Sequence, residues 1–201
     1  MLPITVKVLE KIVASQFSSY LEENQLLHPH QGAFRCGRST DDILLLTADH
    51  IVNSLDCGRV VCAAFLDLRK AYDSLDHCIL LQRISDIGVS NSVLRWFQNY
   101  LTDRVHRVKL SDRFSEWRCR MKGGIPQGSA LGPLLFLIYG NTLPLQVTDG
   151  LLVQYADDTT LVCCGPTILA TAALMTSQLQ LVNDWVLDSK MKLNLEKSSV
   201  M

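Results

Sequence analysis

The sequence predicts an α+β fold in which an antiparallel sheet is covered by helices. Three features of the chain point there. Arg59 to Leu66 (RVVCAAFL) is short, continuous and apolar, which is how a strand covered on both faces reads. Leu151 to Cys164 holds two apolar, β-branched segments that meet at Asp157-Asp158, the pattern of a tight hairpin. Between and around these stretches, apolar residues recur at helical spacing.

The chain has 201 residues, of which 48% are hydrophobic and 19% charged. That is a globular composition with room for one large domain or two small ones. No low-complexity run or internal repeat interrupts it. The net charge is −1, so any nucleic-acid binding must come from local patches and not from the molecule as a whole. Seven cysteines, an odd number with no C-x-x-C pair, indicate neither a zinc site nor a disulfide framework. They suit a reducing compartment. The N-terminus lacks an apolar signal core. Leu134 to Tyr139, the most hydrophobic stretch, is far shorter than the roughly 20 residues of a membrane span. The expectation is an intracellular protein of cytoplasm or nucleus, without membrane contact.

Taken in order, Leu9, Ile12, Val13, Phe17, Tyr20 and Leu21 predict an amphipathic helix over about 5–23, with Lys7, Glu10, Lys11, Glu22 and Glu23 on other faces. Gln31 to Thr40 is a loop containing glycine and arginine. Ser39 or Thr40 caps a second helix that opens with Asp41 and Asp42, as the helix dipole favours. It stops near Cys57-Gly58. After the 59–66 strand and a polar segment, a helix spans about 75–87. Ser90 or Asn91 caps the next, with Val93, Leu94, Trp96, Phe97, Tyr100 and Leu101 marking its buried side. Residues 105–110 and 114–121 alternate as a hairpin around Ser111-Asp112. Seven basic residues against two acidic ones between 104 and 122 make this hairpin either a solvated surface or a phosphate-contacting one. Gly123 to Ser129 is a tight loop whose glycines allow close approach. A helix with Pro133 in its first turn follows and ends near Gly140-Asn141. A long helix over about 167–188 and a closing turn into a strand complete the chain.

The chemistry centres on aspartates. Adjacent carboxylates about 4 Å apart repel by roughly 4 kcal/mol at an effective dielectric near 20. An exposed Asp-Asp turn avoids that cost, and a bound divalent cation offsets it. Asp67 ends the buried strand and supplies a third carboxylate if both segments join one sheet with these ends together. An oxygen-only donor set of this kind suits Mg²⁺ beside substrate phosphates. Two such ions about 4 Å apart serve in-line phosphoryl displacement. Neither a nucleophile elbow nor a Walker loop is present.

Asp67-Leu68-Arg69-Lys70-Ala71-Tyr72-Asp73, Gly124-Ile125-Pro126-Gln127-Gly128-Ser129 and Tyr155-Ala156-Asp157-Asp158 stand in the order and spacing of a reverse transcriptase palm. The phrase from Phe65 to His77, Gly32 to Thr40 and Leu193-Asn194-Leu195-Glu196-Lys197 resemble the non-LTR (long interspersed) retrotransposon branch. The resemblance covers nearly the whole chain. It implies a polymerase palm, an antiparallel sheet with helices packed on one face, plus part of the fingers. Residues 59–88 and 123–201 would form the palm, and 1–58 with about 89–122 the fingers and connecting segments.

By position, the resemblance makes Asp67, Asp157 and Asp158 the catalytic, metal-binding aspartates, with Leu68 lending its backbone carbonyl. The cofactor is then Mg²⁺, two ions, for which Mn²⁺ substitutes. Tyr72 matches the aromatic that rejects ribonucleotides at the sugar 2′ position; its other reading is a core aromatic. Gln127 packs on the incoming nucleotide and Gly128 permits that approach. Lys197 matches a lysine that protonates the leaving pyrophosphate, and Arg35 and Arg38 lie where template or triphosphate is touched. The implied partners are an RNA template, a DNA primer and deoxynucleoside triphosphates.

The chain also departs from the pattern. Met1-Leu2-Pro3-Ile4-Thr5 begins just past an expected arginine, and Tyr139-Gly140-Asn141-Thr142-Leu143-Pro144 lacks an expected aspartate. The reading is of a truncated domain without thumb or endonuclease. Two functions stay open: an RNA-directed DNA polymerase, or an inactive remnant that keeps the palm as a nucleic-acid-binding or interaction domain.

Overall fold

The fold was analysed in a computed structural model of the chain, which describes residues 4–102, 104–105, 109–111, 113–115, 123–126 and 128–201. Among them the order is α1 (Ile4–Glu23), α2 (Thr40–Asp56), β1 (Val60–Leu66), α3 (His77–Asp86), α4 (Asn91–Leu101), β2 (Lys109–Leu110), β3 (Arg113–Phe114), α5 (Gly132–Gly140), β4 (Leu151–Tyr155), β5 (Asp158–Gly165), α6 (Ile168–Asp188) and β6 (Ser199–Val200). Short 3₁₀ turns cover Ala71–Asp73 and Pro144–Gln146.

Local chemistry sets these boundaries. Ser39 caps α2 in a reciprocal capping box with Asp42, which satisfies two end groups at once. The Asp76 carboxylate accepts from the first N–H groups of α3, and Thr167 caps α6 in the same way. Ser90 stands at the N-cap of α4 without a side-chain bond to that helix. Pro133 sits in the first turn of α5, where no helical N–H is missed. β2 and β3 pair antiparallel with Leu110 opposite Arg113, and Asp112 of the expected turn lies outside the described residues. Much of the basic stretch around it lies outside the described residues.

The main sheet has the order β4-β5-β1-β6, antiparallel throughout. Alternation along β1 and β5 divides the side chains between two cores. Ala64, Leu66, Leu161 and Cys163 join the large core with α3, α5 and α6, while Ala63, Val153 and Val162 pack with Ile43 of α2. Helices therefore cover both faces, not one, as the unbroken apolar run of β1 requires. α5 is buried along almost its whole length.

α1 corrects a second expectation. Glu10 is 1% exposed, whereas Leu9 and Ile12 are 50% and 52% exposed, so the buried face is rotated towards the glutamate. Six described cysteines are free thiols. Among the described residues no helix is long and apolar enough to cross a membrane.

Candidate active site

The site lies at the end of the sheet where β1 stops and the β4–β5 hairpin turns. Leu66 pairs with Thr159, and Tyr155 pairs with Asp158. β1 ends one residue before Asp67 and β5 begins at Asp158, one residue before Thr159, so the two aspartates adjoin the last pair of the ladder. The hairpin turn is Ala156-Asp157, and Ala156 has φ of 58°. A non-glycine residue in that region costs on the order of 1–2 kcal/mol, a local strain the surrounding sheet must hold.

Asp67 is gripped from the other edge. Its N–H donates to Ser198 Oγ (3.2 Å), and its carbonyl accepts from the Asn194 N–H (2.8 Å). Its carboxylate Oδ2 accepts from Asn194 Nδ2 (2.8 Å). The Arg69 N–H donates to the Lys192 carbonyl at 2.8 Å, so Leu68 and Leu193 form an antiparallel bridge. Main-chain groups alternate between the two edges of such a ladder. Since residues 67 and 69 face the 192–194 segment, the Leu68 carbonyl is turned the opposite way, towards β5.

Asp157 faces Tyr72. The Tyr72 hydroxyl is pushed up to about 12, first by burial and second by the Asp157 charge. Its ring stacks on Phe136 of α5, centroids 4.7 Å apart at 24°. The stacking gives the core reading of this residue a physical basis, while the Asp157 charge reaches its hydroxyl. Asp67, Asp157 and Asp158 share one end of the sheet. Among the described residues, however, no three or more His, Cys, Asp or Glu side chains gather closely enough to hold a metal ion ready-made. Mutual repulsion between carboxylates is the physical reason to expect such a set to splay. The donor chemistry still fits a hard divalent cation: carboxylate oxygens and a backbone carbonyl, with no soft ligand among them.

The glycine loop is laid against the segment that follows Asp67. The Gly124 N–H donates to the Leu75 carbonyl (2.7 Å), and the Ile125 N–H to the Tyr72 carbonyl (2.9 Å). Gly124 has φ of 78°, and a Cβ there would stand 2.8 Å from the Asp73 carbonyl oxygen. Only glycine allows that approach. Gly128 also has positive φ, and among the described residues nothing lies within 4 Å of where its Cβ would stand. Gln127 lies outside the described residues.

Beneath the loop is a buried polar chain. Tyr100 OH donates to Glu10 Oε1 (2.8 Å), and the Ala130 N–H to Glu10 Oε2 (2.9 Å). Ser129 Oγ is 2.9 Å from Tyr100 OH and accepts from the Gly132 N–H at 2.9 Å. Burial pushes the Tyr100 hydroxyl up to about 12. α1, α4 and the start of α5 are thereby tied through one carboxyl group.

The 28–38 loop joins the far edge of the sheet. The Gln154 N–H donates to the His30 carbonyl (2.8 Å), and the Gly32 N–H to the Gln154 carbonyl (3.0 Å). Arg35 is spent inside this loop. Its guanidinium makes two bonds to Glu22 (2.8 and 2.6 Å) and two to the carbonyls of His28 and Gln31 (3.0 and 3.1 Å). Its side chain is 8% exposed. Arg35 holds Glu22 well below the usual carboxylate range, chiefly through the hydrogen bond. Arg38 is exposed, as is Lys197, whose N–H donates to the Asn194 carbonyl at 3.1 Å.

Four residues of this arrangement were not singled out from the sequence: Glu10, Phe136, Asn194 and Ser198. Only Asn194 carried a signal, as a polar residue between Leu193 and Leu195 three positions before Lys197.

An antiparallel sheet whose one end carries three aspartates beside a glycine-held loop is the layout of a polymerase palm. The chain belongs to the reverse transcriptase (RNA-dependent DNA polymerase) family, whose model matches residues 1–201. It is 29% identical over 205 residues to the probable RNA-directed DNA polymerase from transposon BS of Drosophila melanogaster, covering 96% of this chain and 22% of that protein. It is 24% identical to the RNA-directed DNA polymerase from mobile element jockey of Drosophila melanogaster, over 98% of this chain and 22% of that protein. Similarity also extends to the Pol polyprotein of type-1 retrotransposable element R1 of Bradysia coprophila, at 28% identity over 89% of this chain and 17% of that protein. The chain thus spans about a fifth of the length of these relatives, and the non-LTR resemblance is borne out by their origin. Among solved structures, apo telomerase from Candida tropicalis superimposes with a TM-score of 0.70 at 14% identity, over 98% of this chain and 37% of that one. That likeness supports the palm fold.

Proposed function

We propose that the chain is the palm, with part of the fingers, of an RNA-directed DNA polymerase that transfers a deoxynucleotide to a primer 3′-hydroxyl copied from an RNA template. The observation that supports this reading is the shared end of the sheet, where Asp67 follows β1 directly and Asp157 and Asp158 stand at the β4–β5 hairpin. Asp67, Asp157 and Asp158 would hold two Mg²⁺ ions, with the Leu68 carbonyl as a further donor. When bound, the ions supply charge stabilisation to the attacking and leaving oxygens of an in-line displacement.

The chain's own residues do the remaining work. The Gly124 to Ser129 loop, fixed against Tyr72 and Leu75, forms a floor for the nucleotide, on which Gln127 would pack and Gly128 would permit the approach. Tyr72, braced by Phe136, stands where it excludes a ribose 2′-hydroxyl. Lys197, an exposed cation, would donate the proton to pyrophosphate. Arg38 is an exposed cation for template or triphosphate. Arg35, committed to Glu22, serves that role by shaping the loop that presents Arg38.

Primer extension on an RNA template with Mg²⁺ tests the proposal. The parent chain should incorporate deoxynucleotides and Asp157→Ala should not. A parent without incorporation at any enzyme concentration refutes polymerase function for this chain and leaves the inactive palm as its reading.

A further inference from the structure

The most concentrated set of contacts at the site falls on one aspartate and comes from the far end of the chain. Asn194 binds Asp67 twice, through Nδ2 to the carboxylate and through its N–H to the carbonyl, each at 2.8 Å. Ser198 binds the Asp67 N–H at 3.2 Å and donates its own hydroxyl to the Asn194 carbonyl at 2.9 Å. The Lys197 and Ser198 N–H groups also close on the Asn194 carbonyl, at 3.1 and 2.9 Å. A single turn therefore holds every main-chain polar group of Asp67 and one of its carboxylate oxygens.

We infer that Asn194, with Ser198, is a positioning residue that orients Asp67 towards a divalent cation. The chemistry of the partner matters here. An arginine or lysine on this carboxylate would neutralise the charge a cation needs. An amide N–H fixes one oxygen, leaves the second oxygen bare and leaves the charge in place. Outer-shell groups of this kind orient metal ligands, and their removal typically weakens metal affinity about 10- to 100-fold. The same turn carries Lys197, so the aspartate and the proposed proton donor are set by one five-residue unit. β6, which pairs with Ala64 and Phe65, anchors that unit to β1 itself.

This inference rests on the polymerase reading for its metal, and its test separates the two. Mn²⁺ binding is measured by calorimetry on the parent, Asn194→Ala, Ser198→Ala and Asn194→Gln, each also on an Asp67→Ala background. Asn194→Ala should raise the Mn²⁺ Kd about 10- to 100-fold, with little change in thermal midpoint. Ser198→Ala should do less, and Asn194→Gln should recover part of the loss. The Asn194→Ala effect should vanish when Asp67 is already alanine, which a general folding defect would not do. A parent that binds Mn²⁺ and an Asn194→Ala chain that binds it equally well overturn the inference. A parent that binds no Mn²⁺ refutes the metal site instead. The clamp is then read from the Asn194 side-chain amide in an NMR spectrum, which should shift on Asp67→Ala; an unmoved resonance overturns it.

Discussion

Replacing Glu10 with alanine should destabilise the chain more than any other single change in α1. The side chain is 1% exposed and accepts on both oxygens, from Tyr100 OH at 2.8 Å and the Ala130 N–H at 2.9 Å. Removing it leaves the Ala130 N–H without that acceptor, at a cost of about 1–3 kcal/mol. Tyr100 keeps Ser129 as a neighbour at 2.9 Å, so its loss is smaller, about 1 kcal/mol. The vacated volume adds a packing term, bringing the total to about 3–4 kcal/mol. For a chain of this size each kcal/mol moves the thermal midpoint by roughly 2–4 °C, so the shift should be on the order of 10 °C. Urea denaturation followed by tryptophan fluorescence measures it, with Lys11→Ala as the exposed control. A change below 1 kcal/mol would refute the idea that this carboxyl group ties α1 and α4 to the start of α5. Glu10→Gln should fall between, because an amide oxygen can serve only one of the two donors.

Other consequences follow from the same geometry. Glu22 has its carboxyl group depressed by Arg35, so its stabilising contribution is complete above about pH 4.5 and is lost as pH falls through the lower folded value. Acid denaturation of Arg35→Ala should therefore be shallower in that window than that of the parent; equal slopes would contradict the pairing. Gly124→Ala should cost at least about 2 kcal/mol, because the new Cβ stands 2.8 Å from the Asp73 carbonyl at φ of 78°. Circular dichroism melting reads the loss, and an unshifted midpoint would mean the loop is not pinned there. Tyr72→Ala should raise ribonucleotide incorporation in an active chain while exposing one face of Phe136. Unchanged sugar selectivity in extension assays would leave Tyr72 as a core residue alone.

Much of the fold was legible because short-range chemistry encodes it. The helix cap at Ser39, the apolar run of β1 and the hairpin, which turns at Ala156-Asp157, one residue before the expected Asp157-Asp158, are each local signals. α1 shows where local signals end. Its helical period was plain, but which face is buried depends on Tyr100 and the Ala130 N–H, partners distant in sequence. The apolar β1 did announce helices on both faces, a cue stronger than the one-sided sheet implied by resemblance. At the site, the aspartates and glycines stand out because few other residues do their work. Arg35 looked equally available, yet Glu22 and two loop carbonyls take its guanidinium, a pairing that neither spacing nor charge announces. Asn194 was hidden for the same reason: an amide has many uses, and only the return of the chain beside β1 reveals this one.

The central claim is that one end of this sheet is a metal-dependent nucleotidyl-transfer centre. Iron(II)-directed backbone cleavage measures it most directly, since hydroxyl radicals cut the chain close to a bound cation. Cuts are expected in two separated segments, at Asp67-Leu68 and at Ala156 to Asp158, both suppressed by excess Mg²⁺ and both lost in Asp67→Ala. Cleavage confined to other segments, or cuts at these two that persist in Asp67→Ala, would contradict it.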